Sequence, residues 1–296
     1  MAGTGDLALR PRRSVLYMPG ANERALEKAA GLPADALILD LEDAVAPDAK
    51  ASARDRVCEA ATSGRYGRRE VAIRVNGIGT PWHDDDVRAV AAAGPAAVVV
   101  PKVDSAEAVH AIEKALEAGG APERTVIWAM LETPVATLHA EEVCAASERV
   151  AVLVMGTNDL AKELQAEHVP GRQPLLAGLG LSLLAARATG KVILDGVYND
   201  IKNAAGFEAE CLQGRQMGFD GKTLIHPSQL EPCNRVFAPT EAEIDRSQRI
   251  IEAFEQAEAE GRGVVTVDGR MIENLHVEQA RRTLAVTAAI AALEAG

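Results

Sequence analysis

The sequence predicts a (β/α)8 barrel followed by a C-terminal helix-hairpin-helix appendage, and three observations carry that reading. Short β-rich runs alternate with Ala-rich helical stretches from the start to residue 236, the pattern of repeated βα units on a parallel sheet. Eight such runs can be counted, and eight closes the TIM-barrel form. Nearly every run changes from aliphatic at its start to polar or charged at its end, and in such barrels the loops at the carboxyl ends of the strands build the active site. A doubly wound open sheet shares the alternation but has fewer strands and a single crevice at its switch point.

The elements follow in order. SVLYMPG (14–20) opens the barrel. Its Pro19 and Gly20, before a helix start near Asn22, offer a turn that could present backbone amides to a phosphate, although Gly and Asn are also ordinary turn residues. ALILDLED (36–43) ends on Asp40, Glu42 and Asp43, with Asp40 and Glu42 on one face by alternation. Like charges so close need a cation or an arginine, and Asp43 alone could simply cap the next turn. EVAIRVNG (70–77) brings Arg74 and Asn76, and AAVVVPKV (96–103) brings Lys102. TVIWAMLET (125–133) ends on Glu132, and VAVLVMGTNDL (150–160) on Asn158 and Asp159. VILDGVYND (192–200) carries Asp195, and GKTLIHPSQ (221–229) carries His226. Residues 239–261 have helical spacing and begin Pro-Thr with Glu241 and Glu243 in the first turn, as a helix start should. VVTVDGRMIENLHV (264–277) reads as a hairpin around Asp268-Gly269, with Glu273 just after it, and one more helix closes the chain. The expected domains are therefore 1–236 for the barrel and 237–296 for the appendage.

Composition narrows the function. An apolar fraction of 48% with 25% charged residues supports a large core, and disorder is expected only in the first ten or so residues. A net charge of −12 argues against nucleic acid or an anionic membrane as partner. An anionic ligand would need a local basic patch, for which Arg12, Arg13, Lys50 and Arg54 are available. Four scattered cysteines without a Cys-x-x-Cys suggest buried thiols rather than disulfides or zinc. The first residues lack the apolar run of a signal peptide and no uncharged apolar stretch reaches membrane-spanning length, so the expected location is cytoplasmic.

Glu132 and Asp159 end consecutive strands and so converge at the barrel mouth. Such a pair suits a hard divalent cation, which takes one or two protein carboxylates and leaves positions for water and substrate; helix capping is the plainer alternative, a poor one for Glu. Arg74 needs an anionic partner, either a substrate carboxylate or developing oxyanion, or a structural ion pair with Glu42 or Asp43. His226 is more ordinary as a hydrogen-bonding residue, and no nucleophilic triad or His-based metal motif can be read.

Taken in order, RSVLYMPGANERALEKA, ALILDLEDAVAPDAKASAR, AIRVNG, VVVPKVDSAEAV, MLETPVATLHAEEV, VLVMGTNDLA and LIHPSQL resemble the citrate lyase beta-subunit-like family, which includes malyl-CoA, methylmalyl-CoA and citramalyl-CoA lyases. The resemblance runs from about residue 13 to 285. It implies a Mg²⁺-dependent carbon-carbon lyase (Mn²⁺ as a substitute) that splits or forms a 3-hydroxy-3-carboxyacyl-CoA from an acyl-CoA and a 2-oxo acid. It also implies Glu132 and Asp159 as metal ligands, Arg74 as the substrate-binding arginine, and Arg13 and Lys50 as contacts on the coenzyme A side; on the residues' own reading Asp40 and Glu42 join Arg74 as catalytic candidates, and Pro19 and Gly20 join the coenzyme-binding ones. The family's appendage covers the mouth of a neighbouring subunit in a homo-oligomer, trimer or hexamer, and supplies an acid that is usually aspartate. Here MIEN puts Glu273 in that place, and a methylene more moves the carboxylate by about 1 Å, enough to matter to a proton transfer. GTND stands where many relatives carry GAED, so Asn158 replaces an acid. The family also holds malyl-CoA thioesterases, and a beta-like subunit of a larger complex is a third reading.

Overall fold

The computed structural model describes residues 9–260 and 265–295. The expectation for the first ten or so residues falls largely outside them, as does the first hairpin residue, Val264. The chain divides into two compact units, Arg12–Phe237 and a second made of Ala238–Gly296 with the described part of Met1–Pro11.

The first unit is a closed barrel of eight parallel strands in sequence order. These are β1 Ser14–Pro19, β2 Ala36–Asp40, β3 Glu70–Arg74, β4 Ala97–Val100, β5 Val126–Leu131, β6 Val150–Met155, β7 Val192–Asp195 and β8 Gly221–Leu224. β1 closes the ring on β8 with Ser14 opposite Lys222. All eight expected runs are strands, but each ends sooner than its sequence run. At β2 the cause is visible: the Asp40 carboxylate accepts the backbone N–H groups of Glu42 and Ala44, which turns the chain out of the sheet.

Strands covered on both faces need continuous apolar runs, and β2 is buried at every position. Leu16, Leu37, Ile38, Leu39, Ile73 and Ile127 are essentially inaccessible, each worth roughly 2 kcal/mol of transfer free energy. The helices between strands start on side-chain caps where the sequence offers them: Asn22 accepts from Ala25, Ser105 from Ala108 and Thr133 from Ala136.

Charge is also built into this unit away from the mouth. At the amino ends of the strands Arg12 makes a two-pronged contact with Glu70 and Arg13 with Asp35. Between β7, β8 and the helix Ala204–Met217, the fully buried Lys222 ammonium reaches Asp195 at 3.0 Å and Glu210 at 2.8 Å, while Arg172 reaches Asp195 at 2.6 Å. The four cysteines are free thiols.

The second unit consists of the helices Glu241–Ala259 and Asn274–Glu294 around a two-stranded hairpin, Val265–Val267 and Arg270–Ile272. Thr240 and Glu243 form a reciprocal capping box. Asp268 and Gly269 both have positive φ, 52° and 74°, as a two-residue hairpin turn of the right twist requires. Val265, Val267 and Ile272 meet Ile250, Ala257, Val277 and Ala280 in a small core of its own. Among the described residues no helix is long and apolar enough to cross a membrane.

Candidate active site

The carboxyl ends of the strands surround a cavity of about 300 Å³ whose lining includes Tyr17, Asp40, Arg74, Glu132, Gly156 and Asp159. Its volume is at the small end for ligand sites. It suits the head of a small hydroxy acid, not a whole nucleotide-bearing thioester.

Arg74, at the end of β3, is 8% exposed and surrounded by acids. Nε and Nη2 each donate to one oxygen of Asp40, at 2.7 and 2.8 Å, and Nη1 lies 2.8 Å from Glu42 Oε2 and 3.5 Å from Asp43. The guanidinium stacks over the Tyr17 ring at 4.8 Å. The ion-pair alternative for Arg74 is thus realised, with Asp40 as the main partner. Burial on its own would raise the Asp40 carboxyl, but the Arg74 charge and its hydrogen bonds hold it below its ordinary value. Glu42 has only one edge of the guanidinium, so burial wins and pushes it up to about 7.

Glu132, at the end of β5, is 2% exposed. Oε1 accepts the Lys102 backbone N–H at 2.9 Å, and Asp159 stands 3.2 Å from the Lys102 ammonium. Burial, then the neighbouring charges of Glu42 and Asp159, push Glu132 up to about 8. Crowded carboxylates held against their preference to be protonated call for a cation. Two hard oxygen donors on one cavity fit Mg²⁺, which keeps several positions for water and substrate. Among the described residues no group of three or more His, Cys, Asp or Glu side chains is shaped to hold a metal, so the protein would supply two ligands.

Several expected site residues are elsewhere. Arg13 lies at the amino end of β1, opposite the mouth, bound to Asp35; it is corrected from a coenzyme contact to a lock on the barrel base. Lys50 is 6% exposed and donates to the carbonyls of Leu41 and Glu42 at 2.8 and 2.7 Å, with Trp82 beneath the ammonium. In this position it braces the β2 turn. Gly20 gives its N–H to the Asp40 carbonyl at 2.9 Å, and the Pro19 carbonyl accepts from Asn22 at 3.0 Å, so these two amides are committed within the chain. Glycine is required at 20 because a Cβ would run into that carbonyl and Val57. Of the proposed basic patch, Arg12 is buried on Glu70 and Arg54 pairs with Asp86. Asp195 belongs to the Lys222 cluster, and His226 bonds Ser228 in the local turn.

Gly156 and Asn199 were not singled out from sequence. Gly156 lies against Glu132, and any Cβ there would collide with its Cβ and Oε2; a glycine at a strand end beside an acid was the available signal. Asn158 and Asn199 exchange side-chain amide hydrogen bonds at 2.7 and 3.2 Å, tying the β6 and β7 loops together. Glu273 sits at the start of the last helix, exposed, its N–H donated to His276.

Comparison with known proteins adds the following. A family described as HpcH/HpaI aldolase/citrate lyase matches residues 13–227, and one described as a C-C bond lyase of the TIM-barrel fold matches residues 178–290. A (3S)-malyl-CoA thioesterase of Cereibacter sphaeroides (strain ATCC 17025) is 54% identical over 285 residues, covering 96% of this chain and 98% of its own. The citrate lyase subunit beta of Escherichia coli (strain K12) is 38% identical over 280 residues, 93% of each chain. Among solved structures, the protein CitE from Mycobacterium tuberculosis, in complex with magnesium, acetoacetate and coenzyme A, superimposes with a TM-score of 0.75 at 27% identity, covering 93% of this chain and 97% of that one.

Proposed function

Because the chain belongs to the HpcH/HpaI aldolase/citrate lyase family, we propose that it is a Mg²⁺-dependent enzyme of 3-hydroxy-3-carboxyacyl-CoA thioesters, and that it hydrolyses a malyl-CoA-type thioester. The observation that carries this is the 54% identity to a (3S)-malyl-CoA thioesterase along nearly the whole of both chains. The cavity supports it: an acidic, arginine-bearing pocket of about 300 Å³ suits the malyl head, with the coenzyme A arm outside.

Glu132 and Asp159 would hold the divalent cation, which when bound chelates and polarises the substrate's oxygens. Arg74, held by Asp40 through Nε and Nη2, would meet an anionic oxygen of the substrate through Nη1, which it shares with Glu42 at 2.8 Å. Such a fixed donor needs no reorganisation as charge develops. Glu42, poised near neutrality, takes a proton from the attacking water on a carboxylate oxygen. The new carbon-oxygen bond forms, the carbon-sulfur bond breaks, and the proton passes to the departing coenzyme A thiolate.

The citrate lyase relative favours a second reading, carbon-carbon cleavage on the same scaffold. There the 3-hydroxyl gives up its proton, the bond to the acyl-CoA α-carbon breaks to leave a 2-oxo acid, and an acid returns a proton to the enolate. Glu273 from a neighbouring subunit of a homotrimer or hexamer is assigned that task.

A panel of 3-hydroxyacyl-CoA thioesters incubated with Mg²⁺, with free thiol and 2-oxo acid both measured, separates the readings. Free thiol without 2-oxo acid is expected; 2-oxo acid with intact acyl-CoA selects the lyase, and neither product from any malyl-type thioester overturns both.

A further inference from the structure

Lys102 touches both carboxylates assigned to the divalent cation. Its backbone N–H binds Glu132 Oε1 at 2.9 Å, and its ammonium lies 3.2 Å from Asp159 Oδ1. It does so with a φ of 52°, a left-handed conformation that a residue with a Cβ avoids. Such an outlier needs a reason in its surroundings, and here one residue is bent so that main chain and side chain meet two different acids. The side chain is 47% exposed, so its four-carbon stem can swing into water with little loss of hydration. An ordinary lysine ammonium is a full cation at neutral pH.

Resting on the assignment of the cation to Glu132 and Asp159, we propose that the Lys102 ammonium is a built-in counter-cation of that site, neutralising Asp159 when the metal is away and displaced into solvent when it arrives. An ammonium and a dication on the same carboxylate repel each other. At about 5 Å in a largely aqueous setting, with salt screening, that repulsion is worth about a ten-fold change in affinity. Lys102 thereby sets a threshold: the site fills only when the free divalent ion is abundant enough to expel it, and the empty mouth never holds its full negative charge.

The test is calorimetric titration of the metal-stripped chain with Mg²⁺ alone, so that no turnover enters the readout. Lys102→Met is expected to bind Mg²⁺ about ten-fold more tightly than the parent. Lys102→Gly should do the same; it keeps the N–H to Glu132 and relieves the left-handed strain, which guards against a folding defect. Unchanged or weaker binding in both variants overturns the counter-cation. Glu132→Gln is the separate control: if it leaves Mg²⁺ binding intact, the assignment of the metal site itself fails; if it abolishes binding while the Lys102 variants match the parent, only the present inference falls.

Discussion

The metal-free protein should lose stability as pH rises from 5.5 to 8.0, and Glu132 is the main cause. Its carboxyl moves from an ordinary 4.5 to about 8, first because it is buried and then because Glu42 and Asp159 stand beside it; Glu42 moves in the same sense, to about 7. Between the unfolded and folded values the folded protein holds a proton that the unfolded chain has released, so stability declines as pH climbs through that window. At about 1.4 kcal/mol per pH unit, Glu132 alone takes away roughly 3 kcal/mol between pH 5.5 and 8.0. Asp40, which Arg74 holds low against its burial, titrates beneath this window, and the buried Lys222, raised by Asp195 and Glu210 against its desolvation, titrates above it. Urea unfolding in EDTA at the two pH values measures the loss. Glu132→Gln should lose clearly less than the parent over the same interval, and adding Mg²⁺ at pH 8.0 should restore the parent. A parent whose stability is flat or rises over this range, or a Glu132→Gln variant with the undiminished slope, would refute the reasoning.

Three further outcomes are expected. Gly156→Ala drives a methyl into Glu132 and should weaken Mg²⁺ binding about ten-fold or more by displacing a ligand, read by calorimetry; parental affinity would show that Glu132 is not held there. If Glu42 is the base, kcat/KM rises with pH through a limb at or below about 7 and then levels, because only the deprotonated form accepts the water's proton. That limb should vanish in Glu42→Gln, and its persistence would remove Glu42 from the role. If Glu273 acts on a neighbour's mouth, mixing inactive Glu273→Ala chains with inactive Glu132→Gln chains under subunit exchange should recover about a quarter or more of the activity of the parent; no recovery in a demonstrably mixed oligomer counts against action in trans.

The barrel was legible because its eight strands are short aliphatic runs with polar ends, and the family was legible because those ends carry ordered motifs. The strand limits were not: ALILDLED reads as one run, but the Asp40 carboxylate binds the next two turn amides it can reach and ends β2 there. The meeting of Glu132 and Asp159 on one cavity followed from their runs being consecutive, although Asp159 stands in the first turn of the helix Thr157–Glu163 just past β6. The fate of the basic residues did not, since a sequence shows a charge without its partner. Arg13 and Lys50 look alike as candidates for a phosphate, yet one is committed to Asp35 at the barrel base and the other to two main-chain carbonyls. The left-handed turn at Lys102 was equally hidden, because no glycine marks it.

Asp40 grips Arg74 with both oxygens while the same oxygens fasten the turn at Glu42 and Ala44. This clasp is complete without any substrate, so the most demanding charges at the mouth are in place before anything binds. Laboratory selection for a new acyl group would do best to leave residues 40 and 74 alone and to diversify the loops beyond them.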